Sequence, residues 1–445
     1  MKNNMFSDSR FKQASELLDQ LAGDFTDELQ GLKEADPDKK TNYLDLIQEC
    51  SRVRGANIYF PYLGSGRGAG SYVELADGSV KLDMINGIGV HYFGHSSKLF
   101  REALLRASLM DTVWQGNLQQ NVNQVELMQG FLGLAQKNDE SRLAHCFLST
   151  SGAMANENAL KMAFQKQFPA NRVLAFRRCF TGRSIALAQL TDKAFYRDGL
   201  PRAIEVDYLD FYDGTTGSVD RSLEQLKTHL KRFPGQYAVC SLELIQGEGG
   251  YYAGEKGFFE KIFGALNEAG ILIWVDEVQS FGRTREPFAF QYFGLDKWVD
   301  LVTIGKMSQV CATFFTHELQ ARPGLISQTF TATNGAIECA KVVVEQLVNG
   351  GLCGEGGRIE RVVERFHRGF ETLSKKYPGR FSGPWGCGGM LAFTYGAGVL
   401  DESKAFCRAL FDAGLIVFLA GSDTVRIRLL PALAIVSDDE VSQAI

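Results

Sequence analysis

Gly270-Ile271-Leu272-Ile273-Trp274-Val275-Asp276-Glu277-Val278-Gln279-Ser280-Phe281-Gly282-Arg283-Thr284 opens the stretch 270–311, from which the rest of the chain can be read. The apolar run 271–275 has the length, branching and flanks of a buried strand, and it delivers Asp276 to that strand's carboxyl end. A second run, Val299-Asp300-Leu301-Val302-Thr303-Ile304, predicts another strand, with Gly305-Lys306 at its carboxyl end. Two readings fit this acid and this lysine. One is a helix-capping aspartate and a surface lysine. The other is a pyridoxal phosphate site, in which Lys306 holds the cofactor aldehyde as a Schiff base and Asp276 keeps the pyridine nitrogen protonated so that the ring accepts electrons.

The 445-residue length exceeds one small domain and predicts two unequal lobes. A hydrophobic fraction of 45% with 22% charged residues allows a sizeable core. The net charge of −5 leaves no basic footprint, which argues against nucleic acid as a partner. Nine cysteines, odd in number and without a CxxC pair, fit reduced thiols better than disulfides or a metal site. No apolar run approaches a membrane helix and the N-terminus has no secretory pattern, so a cytoplasmic protein is expected.

Upstream, residues 7–40 carry helical spacing (Phe11, Leu17, Leu18, Leu21, Phe25, Leu29, Leu32) up to the breaker Ala35-Asp36-Pro37-Asp38, and predict an amphipathic arm packed on the body or on a second copy. Gly64-Ser65-Gly66-Arg67-Gly68-Ala69-Gly70 is followed by a hairpin pattern with an Asp77-Gly78 turn, where a dinucleotide fingerprint needs a helix. His91 and His95 are expected to be structural. Cys146-Phe147-Leu148-Ser149-Thr150 predicts a strand, and Ser151-Gly152-Ala153 then opens a helix over 154–168. Such a helix start is either an ordinary cap or a phosphate site, because its first backbone N–H groups are unpaired and face the positive end of the dipole. Further strands are predicted at 173–176 and 237–242. Residues 194–236, with a helix at 219–233, show no pattern that bears chemistry. Helices are predicted at 337–348 and 358–377. Ser437-Asp438-Asp439-Glu440 caps a last one so near Ile445 that a terminus shorter than in relatives is expected.

Asp276-Glu277-Val278-Gln279-Ser280-Phe281-Gly282-Arg283-Thr284 resembles the signature of class III aminotransferases, pyridoxal phosphate enzymes of fold type I, and Lys306 falls where that family keeps its Schiff-base lysine. Gly305-Lys306-Met307-Ser308-Gln309-Val310-Cys311 looks most like the lysine 6-aminotransferase branch. The resemblance spans nearly the whole chain. It implies an α/β fold: a large domain (98–335) with a mostly parallel seven-stranded sheet, a small α+β domain from both chain ends (51–97 and 336–445), and an N-terminal helical arm (1–50). SGAMANENALK resembles the family's phosphate cup, which gives Gly152 and Ala153 that role. Val278 and Phe180 would sandwich the ring, a stacking contact worth about 1 kcal/mol. Gln279 would bond the ring hydroxyl, and Glu243 would join the hydrogen-bonding shell around Asp276. Where the family has an aromatic followed by His-Gly, this chain has Phe180-Thr181-Gly182, and Leu244 replaces a family proline.

For substrates, Arg183 sits where lysine 6-aminotransferases place an arginine. Its planar fork suits a carboxylate, and a surface arginine is the alternative. In related ω-aminotransferases a glutamate at the Glu248 position pairs with a C-terminal arginine. Matching from the left selects Arg426 and matching on Pro431-Ala432-Leu433 selects Arg428, with the first slightly preferred. Thr329, or else Ser327, corresponds to a threonine that reaches the neighbouring subunit's cofactor phosphate, which implies a homodimer with shared sites. The implied reaction moves the distal amine of an amino acid, L-lysine first, to 2-oxoglutarate. Acetylornithine, ornithine and 4-aminobutyrate aminotransferases are alternatives, as are racemases and decarboxylases on the same fold and a non-catalytic protein that retains it.

Overall fold

A computed structural model describes residues 5–58, 60–111 and 113–445. Seven strands form one sheet in the order Leu143–Ser149, Cys311–Thr316, Leu301–Ile304, Leu272–Glu277, Tyr237–Leu242, Arg172–Phe176 and Glu205–Leu209. Only Cys311–Thr316 runs against the others; its two neighbours pair with it antiparallel, and the remaining pairs are parallel. Parallel strands covered on both faces are apolar without alternation. Tyr237–Leu242 and Leu301–Ile304 are accordingly buried at every position, which is why both read as continuous runs.

Side chains still alternate faces along each strand. In Leu272–Glu277, Ile273 and Val275 join the apolar layer that holds Phe259, Phe263 and Leu266 of the helix Lys256–Glu268. Trp274 points the other way, into the layer that holds Ala159, Leu160 and Ala163 of the helix Gly152–Lys166. Its buried indole N–H donates to Thr303 Oγ1 at 3.1 Å, so no polar atom is stranded there. The same alternation separates the two adjacent acids. Asp276 follows Trp274 toward the helix Gly152–Lys166. Glu277 goes to the far side and accepts the Ala289 and Phe290 N–H groups at 2.7 and 2.8 Å.

Two smaller sheets stand apart. One has the order Gly64–Ala69, Tyr72–Leu75, Val80–Asp83 and Leu415–Ile416, so segments from both ends of the chain pair in it. The other has the order Phe381–Cys387, Met390–Tyr395, Arg426–Leu429 and Phe418–Ala420. The glycine-rich stretch, expected as an approach to the hairpin, is itself a strand, because it pairs antiparallel with Tyr72–Leu75. His95 Nε2 lies 3.0 Å from the buried Asp83 carboxylate and stacks on His91. The N-terminal segment forms helices Ser9–Thr26 and Lys40–Arg54, and Asp19 ties the first to Lys98 and Arg101, each at 3.0 Å. Leu17, Leu21 and Phe25 remain exposed on it. Among the described residues no helix is long and apolar enough to cross a membrane.

Candidate active site

Parallel sheets place the turns that follow their strands along one edge. Here that edge opens into a cavity of about 670 Å³ lined by Gly152, Ala153, Phe180, Glu243, Asp276, Val278, Gln279 and Lys306. Eight residues named from the sequence as cofactor ligands therefore share one wall. At its floor Asp276 accepts the Val278 N–H at 2.9 Å and the Asn156 side-chain amide at 2.7 Å. Burial pushes its carboxyl up to about 6, against the pull of those two bonds and of Lys306. Asn156 was not named from the sequence. It lies one helical turn beyond Gly152 on the face toward the sheet, so adding the helical period to the phosphate cup would have found it.

Glu243, expected in the hydrogen-bonding shell around Asp276, lines the same cavity but makes no hydrogen bond to it. Its two oxygens are taken by the N–H groups of Phe180 and Gly247 at 2.9 and 2.8 Å, so it fixes backbone on either side of the site. Burial, then the neighbouring Asp276, raises its carboxyl to about 8. Thr181, where the family keeps histidine, turns its hydroxyl toward Thr191 at 3.4 Å and Leu187 O at 3.5 Å, away from the floor.

Val278 leaves little room beside two glycines. A Cβ on Gly152 would come within 3.0 Å of its side chain, and one on Gly305 within 3.1 Å. This contact brings the start of the 15-residue helix Gly152–Lys166 and the turn carrying Lys306 together over one valine. Lys306 itself sits at φ +55°, a conformation that non-glycine residues seldom hold without a compensating surround. Burial lowers the pKa of its amine, with Asp276 and Glu248 opposing.

Beyond the floor, Glu248 Oε1 and Arg428 Nη1 form an ion pair at 2.6 Å in which the arginine is fully buried. Burial opposes both charges, yet each is sustained by the other: the Glu248 pKa is lowered and the Arg428 pKa raised. The preference for Arg426 is thereby corrected. Both arginines lie on one face of Arg426–Leu429, but Arg426 Nη1 donates to Gly250 O at 2.7 Å, and its guanidinium stacks on Tyr252 and Trp385 at 4.0 and 4.6 Å. Aromatic rings flank both arginines, but backbone carbonyls take the donors of Arg426 and a carboxylate meets Arg428. Arg183 lines the cavity, exposed, 4.7 Å from the centre of the Tyr196 ring. Thr329 is exposed on a loop against Gly116 and does not line this cavity, and Ser327 Oγ accepts from Asn117.

Further lining residues went unnamed in the sequence, among them Ile88, Lys193 and Tyr196. Ile88 lies in a left-handed turn, Asn86–Gly89, with φ +61°, strained for a β-branched residue. Tyr196 lies within 194–236, where the sequence shows no pattern that bears chemistry. Its signal is the i,i+3 spacing from Lys193, visible only once the turn is known to face the cavity.

The fit to pyridoxal phosphate can be tested on unpaired atoms. Buried Asn156 Oδ1 and Gln279 Oε1, both on lining residues, have no hydrogen-bond partner. A long helix opens at the cavity with Gly152 and Ala153 on its wall, as a phosphate requires. A lysine and a buried acid complete the set. Fold and site define a pyridoxal phosphate-dependent enzyme of fold type I.

The chain belongs to the class III aminotransferases, whose family model, "Aminotransferase class-III", matches residues 56–445. A diaminobutyrate–2-oxoglutarate transaminase of Nocardia farcinica is 26% identical over 424 residues, covering 91% of this chain and 92% of its own length. An acetylornithine aminotransferase of Archaeoglobus fulgidus is 28% identical over 388 residues, covering 85% of this chain and 92% of its own. Among solved structures, a lysine aminotransferase from Mycobacterium tuberculosis matches with a TM-score of 0.78 at 24% identity, over 89% of this chain and 97% of that one, a likeness of fold.

Proposed function

We propose that this aminotransferase moves the distal amine of an ω-amino acid, L-lysine first among the candidates, to 2-oxoglutarate. The observation that carries the reading is the buried Glu248–Arg428 pair beside a cavity that also holds Lys306. A two-substrate site must take a donor without the acceptor's extra carboxylate. While the donor is bound, Glu248 neutralises Arg428; when the acceptor enters, Arg428 turns to its carboxylate. Arg428 Nη1 is engaged by Glu248, while Nε and Nη2 have no hydrogen bond of good geometry among the described residues, so those donors remain for that exchange.

The bound cofactor supplies an electron sink for the carbon that loses a proton. Gly152 and Ala153 would hold its phosphate, Asp276 its ring nitrogen, Gln279 its ring hydroxyl, and Phe180 and Val278 its two faces. Lys306 Nζ, with its pKa lowered by burial, accepts the proton from the substrate carbon and returns it during the same half-reaction. Asn156 and the Val278 N–H hold the Asp276 carboxylate in place. The exposed Thr329 suits a contact with a second copy, in a homodimer whose sites are shared.

Arg428→Ala tests the gate. KM for 2-oxoglutarate should rise about 30-fold or more, in line with about 2 kcal/mol for truncating one partner of a buried charge pair. KM for the amine donor should change far less. Equal losses on both substrates would refute the gate. Acetylornithine, ornithine, 2,4-diaminobutyrate and 4-aminobutyrate compared with lysine under one acceptor would fix the donor.

A further inference from the structure

Away from the cavity, two histidines that the reaction leaves unused meet at the edge of the large sheet. His145 lies on the edge strand Leu143–Ser149, and His317 opens the 3₁₀ turn His317–Leu319 directly after the neighbouring strand Cys311–Thr316. The strands pair antiparallel with Phe315 opposite His145, and the register shifts between Phe315 and Thr316. Such an irregularity re-aims the side chains that follow it. His317 Nδ1 comes to 3.2 Å from His145 Nε2, and the side-chain amide Nε2 of Gln320 lies 3.1 Å from the first histidine and 3.3 Å from the second. The three polar atoms form a nearly equilateral triangle, with His145 half-buried and the other two residues exposed.

Protons cannot satisfy this triangle. A neutral imidazole has one N–H and one lone pair, so at most two of the three contacts are hydrogen bonds at any moment. A cation above the three atoms meets all of them at once, because a half-turn of the amide puts Gln320 Oε1 where Nε2 stands. The spacing fits: zinc–nitrogen bonds of about 2.0–2.1 Å at the tetrahedral angle set their donors about 3.3–3.4 Å apart. The frame is held independently of the rings. Gln165, on the helix Gly152–Lys166, donates its amide to Gln320 O at 3.1 Å and accepts the Arg322 N–H at 2.9 Å, and the His145 ring packs on Phe315 with centres 5.1 Å apart. His91 and His95 also meet, but Asp83 lies 3.0 Å from His95 Nε2. Among the described residues no three His, Cys, Asp or Glu side chains gather as a metal centre, so the third donor here is an amide.

We infer that His145, His317 and Gln320 form a binding site for a divalent transition metal, with a water in the fourth position on the exposed side. Two imidazole nitrogens and an amide oxygen, without a carboxylate, select zinc, nickel or copper over calcium and magnesium. The metal is structural. His145 stands near the start of its strand, whereas the phosphate-binding turn follows that strand's end, and Lys306 precedes the start of Cys311–Thr316 while His317 follows its end. The ion therefore clamps the edge strand to the turn beyond its neighbour, at the side of the sheet away from the cavity. The inference does not depend on which amine the enzyme transfers.

Calorimetric titration of the untagged, cofactor-loaded enzyme with zinc chloride tests it. Wild type should bind zinc at this site, and His145→Gln and His317→Gln should each weaken that binding at least about 10-fold, the low end of what even an outer partner of a metal ligand contributes. Gln320→His supplies a third imidazole and should tighten it. His367→Gln removes a histidine from the helix Arg358–Lys376 and should change nothing. Hydrogen exchange reads the clamp: zinc should slow amide exchange in 143–149 and 311–320 of wild type and have no such effect in His145→Gln. Wild type that binds no zinc, or equal binding in wild type and both histidine variants, overturns the inference. So does a site that survives those changes and is lost in His91→Gln. Should a histidine variant fail to fold, Gln320→His decides alone, and zinc binding no tighter than that of wild type overturns the site.

Discussion

At the floor of the cavity Asp276 takes a backbone N–H and a side-chain amide, and Glu243 takes two backbone N–H groups. On the substrate side Arg428 is fully buried with one ion pair, to Glu248, and its Nε and Nη2 have no hydrogen bond of good geometry among the described residues. The floor carboxylates are held on both oxygens and the substrate wall is looser. Held carboxylates suit a group that stays: Asp276 and Glu243 are positioned before the cofactor arrives, so little reorganises there when charge moves, and the unpaired Asn156 Oδ1 and Gln279 Oε1 are left for the cofactor. Unspent donors suit ligands that come and go, because an arginine already locked to backbone carbonyls, as Arg426 is, cannot change partners.

Breaking the floor should cost most. Lys306→Ala removes the amine proposed to hold the cofactor and to carry the proton, and activity should fall at least about 10⁴-fold with loss of the visible absorbance of the loaded enzyme. A spectrum unchanged from wild type would sink the assignment. Asp276→Asn keeps the shape but loses the charge and one of the two acceptors, since its Nδ2 cannot accept from Val278 N–H or the Asn156 amide. A drop of about 10²–10³-fold in kcat is expected, the scale of one preorganised electrostatic partner, with the phosphate grip retained. Arg428→Ala comes next and, in contrast, should divide the two substrates instead of lowering both.

The least drastic test concerns proton linkage at the floor. Burial raises the carboxyl of Glu243 to about 8 and that of Asp276 to about 6. An acid whose native pKa lies above its unfolded value near 4 binds more protons folded than unfolded between the two values. Stability of the cofactor-free protein is therefore fullest below that unfolded value and declines as pH rises toward 8. Glu243→Gln, neutral throughout, should flatten the fall in Tm between about pH 5 and pH 8. A slope equal to that of wild type would place the linkage elsewhere, with Glu277, raised to about 7 by burial, the next candidate.

Legibility follows the same division. Asp276 and Lys306 are legible because each stands at the end of an apolar run, and a parallel strand buried on both faces advertises itself as such a run; Val278 and Gln279 take their roles only from the resemblance. The helix Ser218–Arg232 and the strand Tyr237–Leu242 fell within a residue of expectation for the same reason. Asn156 was legible in principle, one turn into a helix already identified. Glu243 was placed in the right cavity and given the wrong partner, since which N–H groups reach a buried acid depends on how the turns pack above it. Lys193 and Tyr196 sit in a short irregular segment whose direction no periodicity encodes.

The chain's own order of residues determined the sheet, the two strand ends and the identity of the groups delivered there, because strand and helix periods are local and a side chain's face follows from counting. It could not choose between Arg426 and Arg428, since a period of two sends both to the same side. Only the folded molecule made that choice, by setting the Gly250 carbonyl opposite one and the Glu248 carboxylate opposite the other. Contacts between residues far apart in the chain are fixed by packing, and packing is a property of all the elements at once.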